Sequence, residues 1–239
     1  MVKPDESKPG SKKEQVEEMF DNISSKYDFL NHFLSLGIDK LWRKRIVRIL
    51  RENNCQQILD IATGTGDLAI AISKIANTHI TGVDISNKML AVGREKILNL
   101  GLEKRIELVN GDSENLQYKD NSFDAVCVAF GVRNFEDLEK GLNEMHRVLK
   151  PGGKCVILEF ALPTKFPVKQ FYHFYFNYVC PFLGRKIAKD DRAYKYLARS
   201  VNNFPYNEAF IKIFDSCGFK RSHYISLSFG IASIYVGEK

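Results

Sequence analysis

The stretch Ile58-Leu59-Asp60-Ile61-Ala62-Thr63-Gly64-Thr65-Gly66-Asp67, with Asp84 at the end of the next apolar run, constrains this chain more than any other. An apolar segment stops in a glycine-rich turn, and an amphipathic segment (68–75) follows. That order predicts strand, tight loop, helix, strand. The unit builds a crevice at the carboxyl edge of a parallel sheet, where nucleotide-like cofactors bind. Gly64 and Gly66 lack Cβ, so the backbone can take left-handed angles and lie close to a ligand. Asp84 is placed to accept both hydroxyls of a ribose.

The same alternation runs on. Strands are expected at 57–61, 79–84, 106–110, 123–130 and 154–159, with helices at 67–76, 87–100 and 135–149 and a Lys150-Pro151-Gly152-Gly153 turn. Apolar strands alternating with helices argue a parallel sheet covered on both faces. Two C-terminal strands, 219–227 and 231–236, would form a hairpin adding an antiparallel edge. The fold class is therefore α/β, a Rossmann-like, mostly parallel seven-stranded sheet. Ahead of it, residues 14–34 and 39–51 carry apolar side chains at helical spacing, so 14–53 reads as a helical lid. Residues 163–205 read as an aromatic helical insertion, and 14–239 as one domain. The first thirteen residues hold four lysines and no apolar cluster, and are expected to be a disordered tail.

Two cofactors compete for the loop. Gly64-x-Gly66-x-x-Ala69 with an acidic residue about twenty positions on also satisfies the dinucleotide fingerprint. Three features favour S-adenosylmethionine (SAM). Asp60 suits the cationic amino-acid end of the cofactor and would repel a pyrophosphate. Asp67 already complements the helix dipole that a pyrophosphate would use. Gly111-Asp112-Ser113 closes the third strand, where a carboxylate can meet an adenine amino group. Taken singly, Asp67 reads as a helix cap and Asp112 as a turn residue; the three in register favour SAM. Asp60, Gly64, Thr65, Gly66, Asp84, Asp112 and Ser113 form the expected cofactor set. An NAD(P) oxidoreductase and a non-catalytic SAM-binding protein stay open as other classes.

Composition sets bounds. A hydrophobic share of 44% and a charged share of 27% describe an ordinary globular chain without a membrane-spanning run. Five scattered cysteines without a CxxC pair suit reduced thiols, and the cytoplasm is the expected compartment. The net charge of +6 suits an anionic lipid surface or a nucleic acid, and alone decides neither. The histidines lack ligand spacing, so no metal is expected. Aromatic residues from Phe166 to Phe182, bracketed by Lys165, Lys169, Arg185 and Lys186, suit lipid headgroups or an isoprenoid tail, although roofing the core explains most of them.

Beyond the glycine loop, the chain carries Tyr27-Asp28-x-x-Asn31-x-x-Leu34-Ser35-x-Gly37-x-Asp39-x-x-Trp42, Phe130-Gly131-Val132-Arg133-Asn134, and Arg147-Val148-Leu149-Lys150-Pro151-Gly152-Gly153 leading to Leu158-Glu159-Phe160. With these it resembles the class I SAM-dependent methyltransferases, and more narrowly the UbiE/MenG family of quinone C-methyltransferases, from about residue 15 to the C-terminus. The chain departs from the common pattern at Thr63, where glycine or cysteine is usual, and at Ala129 and Ala161, where serine is usual. The resemblance implies C-methylation of a reduced polyprenyl quinone, demethylmenaquinol first and a 2-methoxy-6-polyprenyl-1,4-benzoquinol second, with SAM-dependent methylation of another hydrophobic small molecule as the remaining alternative. It implies catalytic roles for Arg133, Asn134 and Tyr27 and substrate contacts for Asp28 and Asn31. Arg133 could instead pair with Glu136 or Asp137. Peripheral contact with the membrane is expected, nucleic acid is not, and the oligomeric state stays open, a homodimer included. The strand edge before Arg133 also lacks the Asn/Asp-Pro-Pro-aromatic run with which nucleic-acid amino methyltransferases grip their target.

Overall fold

The computed structural model describes residues 2–35, 37–175 and 192–239. Phe176, Tyr178, Cys180, Phe182, Arg185 and Lys186 of the expected insertion lie outside the described residues, as do the side chains of Leu30, Leu34 and His173. Strands β1 (Gln57–Ile61), β2 (His79–Asp84), β3 (Ile106–Asn110), β4 (Phe123–Ala129), β5 (Leu149–Phe160), β6 (Lys220–Leu227) and β7 (Ala232–Glu238) form one sheet in the order β3-β2-β1-β4-β5-β7-β6. β1 to β5 are parallel, and β7 is antiparallel to both of its neighbours. The C-terminal hairpin thus inserts its second strand beside β5 and leaves β6 at the edge. From β1 the chain builds outward to β3, then returns to β4 on the other side. That reversal places a crevice at the carboxyl ends of β1 and β4.

Helices cover both faces, which is why the central strands β1 and β4 are buried along most of their length rather than at alternate positions. On one face lie α2 (Ile38–Glu52), α3 (Asp67–Ile72) and α4 (Asn87–Asn99), burying Trp42, Ile46, Leu50, Ile72 and Leu90 against β1 and β5. On the other, α5 (Leu138–Val148) and α8 (Glu208–Ser216) bury Leu142, Met145, Phe210 and Phe214. Burial on this scale is worth roughly 1.5–3 kcal/mol per large side chain. Side-chain caps fix two helix starts: Ser86 accepts from the Met89 amide at 3.1 Å and Asp137 from the Lys140 amide at 3.0 Å. Short helices α6 (Val168–Phe174) and α7 (Arg192–Asn203) fall in the region read as the insertion.

Three boundaries differ most from expectation. β5 begins at Leu149, so Pro151-Gly152-Gly153 lies inside the strand as an irregularity. There Gly152 takes φ +78° and exchanges hydrogen bonds with Lys239 through the Gly152 amide and the Gly153 carbonyl. α3 ends at Ile72, four residues early. Residues 2–11, expected to form a disordered tail, are among the described residues and lead into α1 (Lys12–Leu34), and Arg199 of α7 donates to the carbonyls of Lys3 and Pro4. Lysine content argued for disorder, but Lys12 is buried against carbonyl groups that satisfy its ammonium.

Candidate active site

The loop after β1 is fastened mainly by backbone groups. Ala62 and Gly64 take φ of +51° and +58°, and Gly66 takes +79° at the start of α3. The Thr63 amide donates to the Val83 carbonyl at 3.0 Å. Asp84 closes the arrangement: one carboxylate oxygen accepts the Gly64 amide at 2.8 Å and the other the Ser86 amide at 2.9 Å. Burial raises the Asp84 pKa to about 6 against the pull of those two amides. Each oxygen retains a free lone pair, so the carboxylate can still accept two hydroxyls. A Cβ on Gly64 would sit 3.2 Å from Met89 Cε, tight enough to narrow the crevice there.

The crevice spans about 660 Å³ of empty space, a figure that includes open solvent at its mouth. Gly64, Asp84, Asp112 and Ser113 line one side, Ala129, Phe130 and Asn134 another, and Val16, Phe20 and Tyr27 of α1 lie across it. Asp60, Thr65 and Gly66 do not line it. Asp60, 1 % exposed, accepts the Thr63 hydroxyl at 2.6 Å, and burial raises its pKa to about 7. It braces the loop from behind, and Thr63, unusual at its position, is the donor that makes this possible. The Thr65 hydroxyl donates to Asp28, whose other oxygen takes Lys96 at 2.7 Å. Lys96 also binds Asp67 at 2.6 Å. Asp28 therefore ties α1 to α3 and α4, away from the crevice wall. Asp112 does line the crevice, but Lys13 holds it at 2.6 Å.

The opposite wall is built by side chains. Phe130 leaves β4 at φ +61°, and Gly131 follows where a Cβ would meet Ala62 Cβ at 2.5 Å. Arg133 turns inward, donating to the Phe130 carbonyl at 2.6 Å and to Glu159 at 2.7 Å, with its guanidinium 5.4 Å from the Phe160 ring centre. Its partner is Glu159, fully buried, rather than Glu136 or Asp137. The Arg133 Nε is buried with no hydrogen-bond partner among the described residues. Asn134 faces the crevice, and its Oδ1 accepts the Tyr196 hydroxyl at 3.1 Å. Tyr27 hydrogen-bonds Asn31, and burial raises its pKa. Tyr27 and Asn134 therefore meet at the crevice, Asn31 stands behind Tyr27, and Arg133 stands behind the wall.

Sequence reasoning missed Lys13, assigned to the tail, and Tyr196 and Lys96, which carried no local signal. Glu159 was seen only as part of a motif. His32, Asp39 and Asp67 bring ligand atoms within 4.8 Å of one another. Arg43 is ion-paired with both carboxylates, contacting Asp67 at 3.6 Å, so a guanidinium already supplies the positive charge there.

Comparison with known proteins now adds identity to geometry. The sequence profile of the ubiE/COQ5 methyltransferase family matches residues 8–239. A demethylmenaquinone methyltransferase of Bacteroides fragilis is 47% identical over 98% of this chain and 96% of its own. Its Porphyromonas gingivalis counterpart is 43% identical over 95% and 94%. A ubiquinone/menaquinone biosynthesis C-methyltransferase UbiE of Geotalea daltonii is 44% identical over 95% and 97%. Among solved structures, a SAM-dependent methyltransferase of Aquifex aeolicus aligns with a TM-score of 0.57 at 19% identity, covering 80% of this chain and 87% of its own. The [4+2]-cyclase SpnF aligns at 0.67 with 16% identity, covering 95% and 96%. A cyclase on the same fold shows that architecture alone leaves the reaction open. The profile match over nearly the whole chain decides the family: this chain belongs to the ubiE/COQ5 methyltransferases.

Proposed function

We propose that this chain transfers the methyl group of SAM to a ring carbon of a reduced polyprenyl quinone, demethylmenaquinol in menaquinone biosynthesis. The observation that carries the reading is one crevice with Asp84 and the glycine loop on one side and Tyr27 and Asn134 on the other. The names of the Bacteroides and Porphyromonas relatives support the acceptor. The Geotalea name, which joins ubiquinone to menaquinone biosynthesis, supports a ubiquinone precursor as the second acceptor.

The residues present fit the cofactor. Asp84 offers two free lone pairs to a ribose, and Asp112 with Ser113 offers an acceptor edge to adenine once Lys13 withdraws. When bound, SAM supplies an electrophilic methyl group on a sulfonium. The protein must hold the acceptor carbon in line with it and favour loss of the adjacent hydroxyl proton. A phenolic hydroxyl titrates near 10 by analogy with tyrosine, so donors that favour the oxyanion are needed. Asn134 supplies one: Tyr196 donates to its carbonyl oxygen, and its amide NH₂, which reaches the Phe130 carbonyl at 3.5 Å, has a second N–H for an acceptor. Tyr27 supplies a second as a neutral hydroxyl, since burial disfavours its ionised form. Arg133, although paired with Glu159, also pulls on the Tyr27 hydroxyl from behind. A polyprenyl quinol resides in the bilayer, so we also infer contact with the membrane surface. Phe166 and Phe171, 81 % and 71 % exposed beside Lys165 and Lys169, support it.

The test is methyl-labelled SAM with demethylmenaquinone, with and without reductant. Only the hydroquinone has the hydroxyl that activates the ring, so label should enter only under reducing conditions. Equal incorporation without reductant would overturn the mechanism.

A further inference from the structure

The charge of this chain is unevenly placed. α2 turns Trp42, Ile46, Ile49 and Leu50 inward and leaves Lys40, Lys44, Arg45, Arg48 and Arg51 exposed. Glu52, paired with Arg48 at 2.8 Å, is the one carboxylate on that exposed face. Five cations against one anion put four of the chain's six net charges on a single helix face.

Apolar groups protrude from the same region. Leu41 is 60 % exposed within the cationic stripe, and Phe229, at the tip of the β6–β7 hairpin, is 85 % exposed with φ +60°. The Trp42 indole donates to Ser228 at 2.9 Å, bracing that tip against the first turn of α2. Trp42 also packs on Phe130 and Phe160, with ring centres 6.0 and 6.3 Å apart, so this surface adjoins the Phe130 wall of the crevice. An exposed face with cations beside protruding apolar side chains matches the interface of an anionic bilayer: headgroups meet the lysines and arginines, and acyl chains meet Leu41 and Phe229. A single-stranded nucleic acid calls for several aromatic side chains on which successive bases stack, whereas Phe229 is exposed here and Trp42 is buried.

We propose that the exposed face of α2, together with Leu41 and Phe229, docks this protein on anionic phospholipid. The proposal rests on the bilayer contact inferred above and names its principal surface. It is tested by cosedimentation of the full chain with vesicles of phosphatidylglycerol or phosphatidylcholine at about 0.1 M salt, where exposed charges still act over roughly 10 Å. Binding to phosphatidylglycerol should be at least tenfold tighter, and should fall at least tenfold in Lys44→Glu/Arg45→Glu/Arg48→Glu and severalfold in Leu41→Ser/Phe229→Ser. Melting curves identify folded variants, and Lys44→Gln/Arg45→Gln serves where charge reversal prevents folding. Equal binding to both lipids overturns the proposal, as does unchanged binding by the folded variants. Displacement from phosphatidylglycerol by a single-stranded oligonucleotide also overturns it and makes α2 a nucleic-acid face. Labelled methyl transfer in detergent reports the acceptor separately, so loss of docking and loss of the quinol reading are distinguishable.

Discussion

The cofactor wall and the Phe130–Asn134 wall of the crevice are held together over different distances along the chain. On the first, the Gly64 amide meets Asp84 across twenty positions and the Ser86 amide across two, within a single βαβ unit. On the second, Arg133 depends on Glu159, twenty-six residues away, and Asn134 on Tyr196, sixty-two away. The first wall is backbone geometry that glycine and a strand-end carboxylate dictate locally. The second is a set of buried polar pairs that exist only after β5 and α7 have come together. A buried pair of this kind is a poor source of net stability but is costly to break.

That contrast is tested first where the cost is greatest. Glu159→Ala leaves the Arg133 guanidinium buried without its carboxylate, and should cost about 3–5 kcal/mol of folding free energy, measured by denaturant unfolding. Glu159→Gln keeps the shape and an acceptor oxygen and should cost less. If Glu159→Ala unfolds at the wild-type denaturant concentration, Arg133 has another partner and the second wall is not built on this pair.

Asp84→Ala is the matching cut on the first wall. It removes two charge-assisted acceptors for a ribose, each worth about 1.5–3 kcal/mol, and SAM affinity should fall by roughly 100-fold or more. Calorimetric titration measures it. Unchanged affinity would remove the ribose assignment and with it the reading of the loop.

The same contrast explains what could be read from the sequence. The succession of strands along the chain, the glycine bend and Asp84 follow from periodicity and from the few residues that tolerate left-handed φ, and these are local signals; the order of the strands across the sheet is not. Asp60, near the end of β1, accepts the Thr63 hydroxyl and does not line the crevice, and a spacing pattern does not tell which way such a carboxylate faces. Asp28 was lost for the same reason, since Lys96 and Thr65 lie on other elements. Arg133 was picked out by its motif, yet its partner lies on a neighbouring strand, beyond any i, i+4 rule. Lys12 and Lys13 were read as a solvated tail because composition averages over side chains that are individually paired.

A pH series sharpens the first wall further. Burial raises the Asp84 pKa to about 6, against roughly 3.9 in an unfolded chain. The folded protein therefore holds this proton more tightly, and Asp84 contributes stability at low pH that is lost as pH rises through about 6. Cofactor binding has the opposite sign, because ribose hydroxyls donate to the carboxylate form. SAM affinity should be flat above about pH 6 and fall by roughly tenfold per unit below it, with a proton released on binding in that range. A flat profile down to pH 5 would mean that the carboxylate is not the acceptor.

The smallest effect concerns the place where the N-terminal segment meets the first wall. Lys13 and Asp112, each 30 % exposed, form a 2.6 Å pair, and at that exposure such a pair is worth at most about 1 kcal/mol. The hydrogen bond to Asp112 raises the Lys13 pKa, so the lysine stays charged at neutral pH and competes for the carboxylate assigned to adenine. Lys13→Ala should free Asp112 and tighten SAM binding by up to about fivefold, with folding stability nearly unchanged. Adenosine lacking the exocyclic amine should show no such gain, because it has no donor for the released carboxylate. Weaker SAM binding in Lys13→Ala would place the ammonium in the bound complex instead, and α1 would then belong to the cofactor site rather than compete with it.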